Sequence, residues 1–137
     1  MLNTNERYEV QKIVADSYAA ESITTTDATP VTVWSYTLTT AEVLTVEVIC
    51  RALTADGAAG FVRRVVASFL YDGTAVDSGA VTDVQAAEYL GTGLSTCNLS
   101  FSVAGAVVSL VWTGESAAIT ASFRVTAHNL TGEVVLP

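Results

Sequence analysis

The groups in this sequence that can do chemistry are few: one histidine (His128), two cysteines (Cys50 and Cys97) and fourteen carboxylates among 137 residues. A histidine acting as a general base needs a second group to hold its ring, and none stands near His128 in sequence. Two distant cysteines and one histidine do not supply the four ligands of a structural zinc site. The acidic residues lack the dense Asp-x-Asp spacing of a calcium loop. Gly91-Thr92-Gly93 lacks the remainder of a phosphate-binding glycine motif. A carboxylate pair for glycoside hydrolysis is assembled in space, so the sequence leaves that open. The expectation from this inventory is a protein that is not an enzyme, with no metal and no cofactor.

Charge narrows the partners. Six basic residues stand against fourteen acidic ones, a formal charge of −8. Phosphate backbones and anionic membrane surfaces are bound through clustered Lys and Arg, so nucleic acid and membrane are not expected partners. The first dozen residues, MLNTNERYEVQK, are polar and show no signal-peptide pattern. The expectation is synthesis in a cytoplasm, where thiols stay reduced. Cys50 and Cys97 both fall on apolar strand phases and read as small buried hydrophobes. A disulfide between them stays open, because sequence does not set their separation.

The elements that must position these groups are strands. Val occurs twenty times and Thr nineteen, with two prolines in the whole chain, a composition suited to pleated, half-buried strands. VTVWSYTL places Trp34, Tyr36 and Leu38 on one face, and VLTVEVICRAL does the same for Val46, Val48, Cys50 and Ala52. FVRRVVASFLY is apolar on both phases and reads as central. Asp72-Gly73 is a turn signal, and Thr39-Thr40-Ala41-Glu42 reads as another turn. After Asp72-Gly73, a short strand around Val81 precedes an irregular stretch. LSTCNLSFSV, AVVSLVWTG and ITASFRVTAH then read as an antiparallel meander, with Cys97, Leu99, Phe101 and Val103 inward in the first. The expected fold is all-β: an antiparallel β-sandwich or jelly roll of about seven or eight strands.

Residues 1–21 differ from residues 22–137 and read as an N-terminal arm ahead of the β-sandwich domain. Val10, Ile13 and Val14 are spaced like one helical turn. A helix over roughly 6–16 and an extended arm are both open, and either needs something to pack against. Val10, Ile13, Val14 and Tyr18 are the arm's candidate partner-binding residues. Arg63-Arg64 is the one basic cluster, but neighbours in a strand point to opposite faces. Separate salt bridges, or one arginine at a subunit interface, are the two readings of it. Trp34 and Trp112 read as core before they read as sugar platforms, and Tyr71 and Tyr89 flank turns as candidate exposed contacts.

The run Thr25-Thr26-Asp27-Ala28-Thr29-Pro30, the strand FVRRVVASF, the hairpin LSFSVAGAVVSLVWTG and the closing ITASFRVTA resemble a β-rich module of tailed-bacteriophage virion proteins. The resemblance spans roughly residues 22–128; AAEYLGTGLS departs from it, where an acidic stretch with a tryptophan is common. It implies a structural protein of the virion. The expectation is a decoration (cement) protein on the capsid exterior, bound to the major capsid protein and self-associated as a homotrimer. The alternative is a tail- or head-fibre module that recognises host-surface carbohydrate.

Overall fold

In the computed structural model, residues 17–131 are described, and they form nine β-strands and no helix. These are β1 (Ser17–Thr25), β2 (Val31–Thr37), β3 (Glu42–Thr54), β4 (Ala59–Tyr71), β5 (Val76–Ser78), β6 (Thr82–Gly91), β7 (Asn98–Ala104), β8 (Val107–Thr113) and β9 (Ile119–Thr131). The proposed helix over 6–16, with Val10, Ile13 and Val14, lies outside the described residues.

All pairings are antiparallel. One sheet has the order β1-β9-β3-β4, with β5 and β6 pairing different stretches of β4 beyond it; the other has the order β2-β8-β7. The chain is thus the all-β sandwich expected. The core lies between the sheets, because the long strands alternate. In β3 Leu44, Val46, Val48, Cys50 and Ala52 are buried while Glu47, Arg51 and Leu53 are exposed. Ile119, Ala121, Phe123, Val125 and Ala127 of β9 face the same core. Val108, Leu110 and Trp112 of β8 meet them from the shorter sheet. Trp112 is the centre: its ring lies 5.6 Å from Phe61 and 5.7 Å from Phe123, and its indole N–H donates to Thr25 at 3.3 Å.

The structure corrects four local expectations. β7 and β8 form a hairpin, but β9 is no third strand of a meander: it crosses to the long sheet and pairs with β1 and β3. The segment read as irregular is the ten-residue strand β6, all of whose side chains are exposed. The short sheet ends at β7 and leaves β6 uncovered, so no apolar alternation marks that strand in the sequence. Val103 lies on the inward phase but is 40% exposed, because the β7–β8 hairpin tip runs past the core. Glu42 does not belong to a turn; it opens β3 on its buried phase. Gly91 closes β6 with a φ of +71°, where a Cβ would collide with the Ala58 carbonyl.

Candidate binding corner

The short sheet covers only part of the long one, and β2 forms its open edge. A bulge between Thr32 and Trp34 breaks the β2–β8 register, and bulges re-aim the side chains beside them. Beyond it Trp34 and Tyr36 stand opposite Leu110 and Val108. Both aromatic residues remain half-buried, with ring centroids 6.2 Å apart and planes inclined by 27°. The sequence placed both on the core phase, which is correct. Their edge position is what keeps them in reach of solvent.

Polar groups from the far ends of two other strands converge on this pair. Asn129 of β9 donates its amide to the Tyr36 hydroxyl at 2.8 Å. Glu42, 4% exposed, stands opposite Thr131 and Tyr71 and receives the Thr40 hydroxyl at 3.4 Å. Burial pushes the Tyr36 phenol above its ordinary range, and the neighbouring Glu42 carboxylate pushes it the same way. Glu42 Oε1 and Asn129 Oδ1 are buried acceptors with no hydrogen-bond partner among the described residues. Buried polar atoms are nearly always paired, and these two are enclosed beside the Tyr36 hydroxyl, out of reach of solvent. A half-buried stacked aromatic pair at a sheet edge suits a ligand with apolar ring faces.

The residues singled out in the sequence do not gather here. Arg63 turns inward: its Nε donates to Asp83 at 2.8 Å and its Nη1 to the Leu99 carbonyl at 2.5 Å. Arg64 is exposed on the opposite face. Tyr71 donates to the Gly73 carbonyl at 3.1 Å. Tyr89, 38% exposed, donates to the Cys97 carbonyl and packs 5.2 Å from Phe61. Tyr18 lies in β1, opposite Thr126. His128 does acquire a neighbour that sequence distance concealed, the Glu47 carboxylate at 3.7 Å. Both cysteines are free and buried. Burial, followed by the other cysteine, pushes the Cys50 thiol up to about 12; burial, followed by Glu115, does the same to Cys97.

A second polar constellation is structural. Glu115 Oε2 accepts the amides of Ser95, Thr96 and Cys97 at 2.7–2.9 Å and the Cys97 thiol at 3.3 Å. Burial opposes its charge, yet these donors hold its carboxyl below the usual range. At the other end of β3 a small hollow is lined by Thr54, Asp56, Thr92 and Gly93. Its one carboxylate, Asp56, is already occupied by the Thr54 hydroxyl and the Ala58 amide.

No protein-family model matches this chain, and no curated protein matches it. Two solved structures are similar to it. One is the tailspike protein of Acinetobacter baumannii phage AM24, at 12% identity and a TM-score of 0.46, covering 90% of this chain and 28% of that one. The other is the tailspike protein gp49 of Acinetobacter baumannii bacteriophage Fri1, at 16% identity and a TM-score of 0.45, covering 86% and 20%. The chain therefore spans less than a third of either protein, and such similarity transfers no activity. It does correct one expectation: the Fri1 protein is described as a capsular polysaccharide depolymerase. The exclusion of enzymes drawn from a thin residue inventory is withdrawn.

Proposed function

We propose that this chain is a β-sandwich module of a phage virion surface structure, of the tail-spike or fibre kind, and that it meets host-surface carbohydrate at the Trp34–Tyr36 corner. The observation that carries this reading is the half-buried Trp34–Tyr36 stack on the open edge of the short sheet. Aromatic faces pack against the C–H faces of sugars. The resemblance of residues 22–128 to virion modules supports the same setting, and the acidic charge of −8 suits an exterior position away from packaged DNA. The reading moves the module from the capsid shell, where the sequence expectation placed it, to the tail.

Two measurements test it. Antibody labelling of purified particles should place the protein at the tail, and density on the capsid lattice would overturn the assignment. Isothermal titration with purified host capsular polysaccharide should give saturable binding that Trp34→Ala abolishes while the far-ultraviolet spectrum stays that of sheet. Undiminished binding by that variant would remove the corner from the mechanism.

A further inference from the structure

Glu42 is the one carboxylate of the described residues that lies almost wholly inside the protein: it is 4% exposed and heads β3 on the phase that faces the core. A charge held inside a protein is ordinarily paired with an opposite charge or bound to a metal. No basic residue among those described stands beside Glu42. Arg63 turns to Asp83 and the Leu99 carbonyl. Arg51, Arg64 and Arg124 are exposed on the outer face of the long sheet, and His128 lies beside Glu47 on that same face. The Thr40 hydroxyl engages Glu42 Oε2, and Oε1 has no partner. The groups gathered near it are oxygens. Asn129 lies two residues before Thr131, which stands opposite Glu42, so the two side chains are diagonal neighbours with Cβ atoms about 7 Å apart. Asn129 Oδ1 is likewise buried without a partner. The Tyr36 hydroxyl takes the Asn129 amide at 2.8 Å and is close enough to Glu42 for the carboxylate to push the phenol up. Turning the Asn129 amide end for end would exchange its donor and acceptor, but it would supply no charge.

We propose that Glu42, Asn129 and the Tyr36 hydroxyl bind a monovalent alkali cation, sodium or potassium, at the end of the sandwich where β2 passes into β3. The donor set decides the class. Carboxylate, amide and hydroxyl oxygens, with no histidine or cysteine, suit a hard cation and not a transition metal. No group of three or more acidic, histidine or cysteine residues gathers among the described residues, in keeping with that choice. Only one of the donors is charged. Calcium takes about six to eight oxygens and is held more tightly as carboxylates are added, and this place offers one carboxylate. Inside the protein a single negative charge is balanced by a single positive one, while a divalent ion would leave one charge uncompensated. The cation joins the two sheets, since Tyr36 belongs to the short one and Glu42 and Asn129 to the long one. It also steadies the Tyr36 ring on which Trp34 stacks, whatever meets Trp34 from outside. Its ligands come from three strands, so their spacing along the sequence resembles no metal motif.

Melting temperatures of the full chain test this, measured in sodium, potassium and tetramethylammonium chloride at equal ionic strength. A ligand bound by the folded chain alone stabilises it by mass action. Sodium or potassium should raise the melting temperature saturably, by about 3 °C or more over tetramethylammonium, which is too large to enter. Glu42→Gln keeps the shape of the side chain and removes its charge. It should abolish that difference and melt no lower than the wild type in tetramethylammonium. Asn129→Asp adds a second carboxylate and should transfer the response to millimolar calcium chloride, and it decides the matter if Glu42→Gln fails to fold. A wild type that melts alike in all three salts would overturn the proposal, as would the same difference in Glu42→Gln or an Asn129→Asp indifferent to calcium. A wild type that answers to calcium and to neither alkali cation would overturn the assignment to a monovalent ion.

Discussion

The two faces of the long sheet are made by the same three strands, yet they obey different rules. Facing the short sheet, β3 presents Leu44, Val46, Val48, Cys50 and Ala52, all buried; facing away, it presents Val43, Thr45, Glu47, Ile49, Arg51 and Leu53. The inner series is uniformly apolar and closes on a single aromatic centre. The outer series is apolar at its ends and charged in its middle. Apolar residues on both phases of a strand therefore do not by themselves mean a strand covered on both sides. The inner set makes the fold; the outer set leaves apolar and charged side chains in solvent.

The sharpest way to break this distinction is to remove the centre of the inner face. Trp112 is fully buried between Phe61 and Phe123. Trp112→Ala should cost about 3–5 kcal/mol in urea denaturation, through lost transfer energy and a cavity the two sheets cannot close. A loss below about 1 kcal/mol, the usual scale of an unremarkable substitution, would mean that the sandwich core is centred elsewhere.

The inner face was legible in the sequence and much of the rest was not, for physical reasons. Alternation in VLTVEVICRAL, AVVSLVWTG and ITASFRVTAH identifies the buried phases because one side of each strand meets the core and the other meets water. That signal says nothing about which sheet a strand joins, so β9 was read as continuing a meander when it crosses to the long sheet. It fails entirely for β6, which is exposed on both sides and is held by backbone pairing to β4. The Trp34–Tyr36 corner was least visible. Tyr36 reads as core and Glu42 as a turn residue, and Asn129 reaches them from the last strand. The registry of β3 against β9 brings Glu42 and Asn129 to one end of the long sheet, Tyr36 meets Asn129 from the other sheet, and no local pattern encodes either. The Thr39–Ala41 stretch does turn the chain, but Glu42 begins the strand beyond it.

A smaller loss is expected where polar groups, not apolar ones, join the two sheets. Glu115 gathers three amides and a thiol from residues 95–97, so Glu115→Ala should destabilise by roughly 2 kcal/mol through donors left without their acceptor. Its pH dependence has a fixed sign. The folded-state pKa lies below the ordinary value of 4.5, so the stabilisation is complete above that value and fades as pH falls through the folded pKa. Stability curves of wild type and Glu115→Ala should therefore converge in acid. Curves that stay parallel down to strongly acidic pH would show that its charge contributes nothing.

Arg63 should matter less. It ties β4 to Asp83 of β6 and to the Leu99 carbonyl of β7, but Asp83 is 41% exposed, and solvent screens such a pair. Arg63→Met keeps the stem packed and should cost about 1 kcal/mol. Amide exchange should show the loosening in β6 before it reaches β3 or β9. Uniform loosening of all strands would mean that β6 is no separate margin of the sheet.

The smallest effect is expected on the outer face, and it separates folding from association most cleanly. Leu70 is 48% exposed at one apolar end of that face, so in a single copy its truncation removes little buried area. Leu70→Ala should change the stability of dilute protein by less than about 0.5 kcal/mol. Concentration supplies the contrast. A partner that binds only the folded chain stabilises it by mass action, so the melting temperature of the wild type should rise with protein concentration. Leu70→Ala should show a shallower rise, and Trp112→Ala should lower the melting temperature at every concentration. Equal concentration dependence in the wild type and Leu70→Ala would show that this end of the face takes no part in association, and the two faces would then differ only in how much water they see.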